Sequence, residues 1–263
     1  METSEVLLAL QKPRLYELAA AGARIDGRKP DEYRQITIDE NFIAFTAEGS
    51  CRLRMGNTDL IAGVKLTTGT PFPDTPEEGV LMTGAELPPL ASSEFSFGPP
   101  SPFAIETARV IDRGIRESKM LDVKKLVIEP KESVWIVNID IQALNYDGNL
   151  IDAGQLAAVK ALLSTKIPKY EDGKIIREES SGNLPTQDKP ISTTFAQVNK
   201  HNFLDPKFEE ERLADALLTI QSTEKGALCA MQKQGTGSFM PKEVEGLVEE
   251  SIKKGKEIRK KFL

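Results

Sequence analysis

The sequence predicts an α+β fold made of two related halves, in each of which strands come first and a helix follows. The first half opens with short alternating strands and closes with a strong apolar strand and a helical pattern. The second half repeats this order in fewer residues. These patterns occupy 36–68, 133–144 and 152–165 in the first half, and 193–199, 217–222, 228–233 and a helix from about 241 in the second.

Taken in order, the chain begins with a predicted helix at 3–22, which Pro13 is expected to kink or split and Gly22 to end. Apolar and polar residues alternate across 36–68, a pattern typical of an antiparallel meander with one buried face. Residues 69–102 hold eight prolines and little periodicity. We therefore expect a long ordered loop there, and a loop of this length in a compact domain is usually functional or faces a partner.

Changes in composition suggest the domain boundaries. The polar stretch near 166–191 reads as a connector between the halves. We expect an N-terminal helical extension at 1–30, a first domain at 31–166, a connector at 167–191 and a second domain at 192–263.

Composition limits the classes of function. The 263-residue chain carries a net charge of −6, so a role on nucleic acid needs a local basic patch or a basic partner. It has no apolar run of 18 residues and no signal-peptide pattern, which predicts a soluble, cytoplasmic protein without membrane contact. Cys51 and Cys229 are expected to be buried, reduced thiols. The single histidine, His201, excludes a multi-histidine metal site.

Few stretches resemble a catalytic motif. The chain lacks a phosphate-binding P-loop, and the Gly-Thr-Gly at 235–237 is better explained as a turn. Glu209, Glu210 and Glu211 with Asp215 form a carboxylate group. They could bind a divalent ion or simply lie on a solvated face.

The most distinctive feature is a stripe of arginines in "ETARVIDRGIRESKMLD" at 106–122. On a helix, Arg109, Arg113 and Arg116 share one side, opposite an apolar face. The stripe could be a solvated face with an internal Asp112–Arg116 pair. Alternatively it binds phosphate, because Arg109 and Arg113 lie about 6 Å apart along a helix axis, close to the phosphate spacing of an extended single strand. The guanidinium fork grips phosphate at two points.

From about residue 20 onward the sequence resembles the RNase PH family of 3′→5′ phosphorolytic exoribonucleases. Within the family it is similar to the non-catalytic type of subunit found in the archaeal exosome ring. The stretches that carry the resemblance are "RIDGRKPDEYR" (24–34), "GTPFPDTPEEGVL" (69–81), "ELPPLASSEF" (86–95), "ARVIDRGIRES" (108–118), "LDPKFEEERLADALLTI" (204–220) and "MQKQGTGSF" (231–239).

The resemblance implies an RNase PH-type fold of two βα halves related to the ribosomal-protein-like βαβ fold. It implies a hexameric ring, a trimer of heterodimers with a catalytic RNase PH-like subunit, with RNA-binding cap subunits on one side. Single-stranded RNA enters the channel, and inorganic phosphate attacks its 3′-terminal linkage. The arginine helix is then expected to face the RNA path near the partner's active site, and no cofactor or metal is implied.

The resemblance also implies that this chain lacks catalysis. Catalytic relatives carry a "DGGTR[ST]A"-like segment whose polar pair holds the attacking phosphate. The matching stretch here is "YDGNLIDAG" (146–154), with Leu150 and Ile151 about where that pair belongs. Neither side chain can form a hydrogen bond. Of the two acids of catalytic members, Asp215 matches the second and Glu209 lies near the first.

Three functions remain open at this stage. The first is a non-catalytic ring subunit that binds RNA and completes a partner's active site. The second is a self-sufficient phosphorolytic exoribonuclease, against which the missing phosphate pair argues. The third is a purely structural ring subunit, against which the arginine stripe argues.

Overall fold

A computed structural model describes the backbone of residues 2–43 and 45–263 and the side chains of residues 10–43 and 45–263. Helix α1 spans Glu2–Ala20. The elements that follow, up to the end of the first half, are β1 (Ile36–Glu40), β2 (Gly49–Met55), β3 (Thr58–Gly69), β4 (Val80–Glu86), α2 (Pro102–Glu117), a 3₁₀ turn (Val123–Leu126), β5 (Val127–Glu129), β6 (Ser133–Asn145) and α3 (Leu150–Ser164). The remaining elements are β7 (Lys166–Glu171), β8 (Lys174–Asn183), β9 (Ile191–Val198), β10 (His201–Leu204), α4 (Phe208–Leu213), β11 (Ala216–Ser222), β12 (Leu228–Gly235) and α5 (Pro241–Phe262).

The first half is a mixed sheet in the order β1-β2-β3-β6-β4, with β5 added beside β6. Strands β1, β2 and β3 form the predicted antiparallel meander, in which Leu53 lies opposite Leu60. Strand β6 continues the antiparallel pairing beside β3, with Val64 opposite Ile139. Alternate residues of β2 and β3 are buried, and α3 packs against both strands. The period-two pattern therefore places one face of the sheet on the core.

The expectation of a loop throughout 69–102 is wrong, because β4 lies within it. Strand β4 runs parallel to β6 at the sheet edge, and α2 follows it as the crossover helix. The eight prolines of this stretch all flank the strand, three before it and five after it. Val80 and Leu81 of this strand are buried, but its seven residues include Gly84 and do not alternate regularly between apolar and polar. The sequence pattern therefore did not predict the strand.

The second half is a four-stranded antiparallel sheet in the order β10-β9-β11-β12. Every residue of β9 is buried, because helices α1, α4 and α5 pack against it together with α3 of the first half. The sequence did not predict β10 or α4. Strand β10 has four residues after a turn in which Asn199 and Lys200 both have positive φ, and α4 has six residues, so both are too short for a periodic signal.

The N-terminal extension and the connector are both more ordered than their composition suggested. Helix α1 continues through Pro13 rather than splitting there. Its residues Leu15 and Ala19 are buried against Val198, Phe203 and Leu213 of the second half. The polar connector contains the antiparallel hairpin β7–β8, whose outer strand is mostly exposed.

The cysteines are both free thiols. Cys51 is buried as predicted, and burial raises its pKa to about 12. Cys229 is only half-buried, so the expectation of burial is wrong for it. Among residues 2–43 and 45–263, no helix is long and apolar enough to cross a membrane.

Candidate nucleic-acid interface

Helix α2 carries the arginine stripe, and its N-terminus is well defined. The Ser101 hydroxyl accepts a hydrogen bond from the amide of Ala104 at 3.2 Å, and Pro102 follows in the first turn. The helix buries one face, which includes Val110, Ile111 and Ile115 as predicted. Tight packing on that face leaves the opposite face, with its arginines, to solvent.

The three predicted arginines are exposed, but they are not equivalent. Within the described part of the chain, Arg109 makes no hydrogen bond or ion pair. Arg113 makes one long contact of 3.4 Å to the side-chain oxygen of Gln232. Arg116 donates two hydrogen bonds of 3.1 Å to Asp112 and one of 3.0 Å to the carbonyl of Leu81. Arg109 and Arg113 are therefore available to a ligand, while Arg116 is already engaged.

A groove of about 380 Å³ lies beside the two available arginines. Gln232 on β12 forms its far wall, so the groove lies between the two halves of the fold. The sequence did not single out Gln232 as a functional residue. No spacing rule links positions 119 residues apart, and only the packing of β12 against α2 brings Gln232 to Arg113. The lining residues are Pro102, Ile105, Glu106, Arg109, Val110, Arg113 and Gln232.

The N-terminus of α3 is where the resemblance located the missing phosphate pair. Leu150 and Ile151 are 3% and 5% exposed, so both face the core rather than a ligand. Asn149 has a left-handed conformation, with φ 56°, and its side chain caps the helix by accepting from the amide of Asp152. Gly148 has φ +87°, and a Cβ there would lie 2.6 Å from the backbone of Pro206 and Lys207. This end of α3 is thus closed by the second half.

A carboxylate already accepts a hydrogen bond from the backbone amide at this helix end. Glu211 of α4 accepts hydrogen bonds from the amide of Asn149 and from the Tyr146 hydroxyl. Burial raises the pKa of Glu211, although these two donors partly offset the effect. An anion arriving from solvent would have to displace Glu211 to reach the amide of Asn149.

Two buried arginines nearby are also neutralised. Arg34 donates to both carboxylate oxygens of Asp205, at 2.9 and 2.7 Å, and to the carbonyls of Asp147 and Gly148. Burial alone would raise the pKa of Asp205, but its hydrogen bonds and charge pairing with Arg34 outweigh burial and lower it. Arg24 is likewise buried in a pair with Glu210. Neither guanidinium is free to hold phosphate.

The predicted carboxylate group does not converge on one point. Glu210 pairs with Arg24, and Glu211 caps Asn149. Asp215 accepts from the Tyr16 hydroxyl and the amide of Asn199. Burial would raise the pKa of Asp215, but the Tyr16 hydrogen bond and nearby Lys12 lower it.

These carboxylates therefore hold α1, α3 and α4 in place. The interpretation of a solvated face is wrong for Glu210, which is buried, and Glu211 is only half-buried. Within residues 10–43 and 45–263, no cluster of three or more histidine, cysteine or acidic side chains could hold a metal ion.

The proline-rich segment after β4 borders a larger cavity of about 1040 Å³ between the two halves. Phe95 and Phe103 of this region pack on the Tyr146 ring with centroid distances of 5.3 and 5.8 Å, which anchors the segment. Leu90 and Phe97 are instead 78% and 89% exposed. The segment thus combines a fixed base with apolar side chains that face outward, and a partner-facing role for it stays a prediction.

Comparison with known protein families matches both halves of the chain. The 3′ exoribonuclease family, domain 1, matches residues 32–168, and domain 2 of the same family matches residues 188–254. The chain is also similar to exosome complex component Rrp42 of Thermoplasma acidophilum. The two are 44% identical over 261 residues, which cover 99% of this chain and 98% of that protein.

Solved structures agree with the sequence comparison. A chain of the Archaeoglobus fulgidus exosome with RNA bound to the active site is 42% identical and superposes with a TM-score of 0.91, covering 98% of this chain and 100% of that one. A chain of an archaeal exosome core is 39% identical with a TM-score of 0.88, covering 99% of both.

Proposed function

The chain belongs to the RNase PH family of 3′ exoribonucleases, and we propose that it acts as a non-catalytic, RNA-binding subunit of an exosome ring. In this proposal it alternates with a catalytic RNase PH-like paralogue in a trimer of heterodimers, with cap subunits on one side. The complex degrades single-stranded RNA in the 3′→5′ direction with phosphate as the nucleophile. Its place of action is the cytoplasm.

The state of the α3 N-terminus carries the non-catalytic part of the proposal. A phosphorolytic site must hold a dianionic nucleophile, which requires free amides or cations. Here Leu150 and Ile151 are buried, the Asn149 amide binds Glu211, and Arg34 binds Asp205. A second anion at this position would lie beside buried carboxylates, which makes binding of phosphate unfavourable.

The exposed pair Arg109 and Arg113 supports the RNA-binding part. The two side chains lie on one face of a rigid helix whose other face is buried. Guanidinium groups bind phosphate oxygens without reading bases, so they would hold the RNA backbone while the partner supplies the chemistry. The similarity to a chain of an exosome with RNA bound is consistent with this role.

Comparing the single chain with the assembled ring tests the proposal. We expect no phosphate-dependent release of nucleoside diphosphates from poly(A) by this chain alone, and release once the catalytic paralogue is added. Phosphorolysis by the single chain, purified free of its paralogue, would contradict the non-catalytic assignment. The same assay on a ring carrying Asp215→Asn should stay within a few-fold of wild type, because Asp215 holds Tyr16 rather than a substrate.

A further inference from the structure

Glu106 is an unexpected neighbour for an RNA phosphate. It lies on α2 in the wall of the 380 Å³ groove, three residues before Arg109. Acidic and basic residues at this spacing on a helix usually pair. Nevertheless, among the described residues Glu106 forms no ion pair with any arginine or lysine. A contact with another side chain therefore orients its carboxylate.

Gln232 of β12 provides that contact. Its side-chain nitrogen donates to Glu106 Oε1 at 3.1 Å, while its side-chain oxygen faces a guanidinium nitrogen of Arg113 at 3.4 Å. The two neighbours fix the orientation of the amide. A carboxylate only accepts and a guanidinium only donates, so rotating the amide by 180° would place like groups together on both sides.

We propose that Gln232 is a positioning residue that holds Glu106 away from Arg109 and Arg113, so that both arginines stay available to an RNA phosphate. This inference rests on the proposed RNA-binding function. A glutamine suits the task because it satisfies the carboxylate without adding positive charge and accepts from Arg113 without neutralising it. A lysine at this position would bind Glu106 but would lose the contact to Arg113.

The shape of the groove supports a nucleotide as the occupant. Ile105 is 47% exposed beside the arginines, and Pro102 continues the apolar side of the groove. A ribose and base can pack on this apolar side while the phosphate meets the guanidinium groups. Glu106 lies between the two sides, so its direction decides whether the guanidinium groups are free to meet a phosphate.

Suppression of one substitution by a second in the reconstituted ring tests this role. Gln232→Ala should free Glu106 to pair with the arginines and weaken binding of a single-stranded poly(A) oligonucleotide by about 2- to 5-fold, the size expected of one exposed ion pair. Adding Glu106→Gln to the same chain should restore wild-type binding, since no carboxylate is left to compete. Gln234→Ala, on the same strand, is the matched control and should bind as wild type does.

The outcomes distinguish failure of this inference from failure of the proposed RNA-binding function. The inference is overturned if the Gln232→Ala ring binds RNA as tightly as wild type. It is also overturned if Gln232→Ala weakens binding and Glu106→Gln does not restore it, because the defect then reflects packing rather than the carboxylate. If Arg109→Ala with Arg113→Ala also leaves binding unchanged, the RNA-binding proposal itself fails. Gel filtration of each ring confirms that assembly is the same in all variants.

Discussion

Replacing Arg109 and Arg113 together with alanine removes the two guanidinium groups that this face of α2 leaves available. Both side chains point away from Ile111 and Ile115, which hold the helix in the core, so we expect the fold and the ring to survive. Each arginine bound to a phosphate displaces a counterion. On single-stranded RNA this contributes about 0.7 to the slope of log K against log salt.

The size of the effect follows from those two contacts. Their joint slope of about 1.4 means that a fourfold rise in salt weakens wild-type binding by about sevenfold more than it weakens binding by the double variant. The ratio of wild-type affinity to double-variant affinity should therefore be largest at about 50 mM salt and shrink about sevenfold by about 200 mM. The loss should be similar for poly(A) and poly(U), because backbone contacts carry no base information.

Fluorescence anisotropy with labelled oligonucleotides measures these constants on the reconstituted ring. Arg54→Ala is a suitable control, because Arg54 is half-buried on β2, does not line the groove, and pairs with Asp39 and Asp59. The reasoning fails if the double variant and the wild type show the same salt slope and the same affinity at low salt. It also fails if the loss depends strongly on base identity, because the contacts would then not be to phosphate.

Three further predictions concern Arg116, the packing of α2 and the buried ion pair beside the N-terminus of α3. Arg116→Ala should weaken RNA binding less than Arg113→Ala in the same anisotropy assay, because Asp112 and the Leu81 carbonyl already engage Arg116. Gly114→Ala should lower the free energy of unfolding by about 1–3 kcal/mol in urea, since its Cβ would lie 2.2 Å from the side-chain oxygen of Gln221; an unchanged midpoint would contradict this. Asp205→Asn should cost about 3–5 kcal/mol at pH 7 by leaving Arg34 unpaired. Because pairing lowers the pKa of Asp205, its stabilisation is complete above its ordinary pKa and is lost on acidification. The difference from wild type should therefore narrow below about pH 4, and a gap that widened there would refute the assignment.

The arginine face could be predicted from sequence because it depends on one helix. The spacing of Arg109, Arg113 and Arg116 and the apolar residues opposite them follow from helical periodicity alone. The engagement of Arg116 could only be partly foreseen. Asp112 lies four residues away on the same helix, whereas the Leu81 carbonyl comes from β4, a strand hidden between two groups of prolines.

The rest of the site depends on contacts between the halves. Gln232 reaches Arg113 across 119 positions, and Glu211 reaches Asn149 across 62. Local patterns contain no information about such pairs. The acidic run at 209–211 illustrates this, since composition suggests a solvated face, whereas tertiary packing buries Glu210 against Arg24 and bonds Glu211 to the N-terminus of α3.

The contact between Glu211 and Asn149 also bears on whether this end of α3 could be made to bind phosphate. Restoring polar side chains at positions 150 and 151 would place them in a core that now holds Leu150 and Ile151, and the amide of Asn149 would still be occupied. Removing Glu211 first would leave that amide and the Tyr146 hydroxyl without an acceptor, which is itself destabilising. Every single step back toward a phosphate-binding helix end therefore passes through a less stable chain. Under the proposed function, a phosphate site could be gained only by changing both halves together, so selection for stability alone would keep the chain non-catalytic.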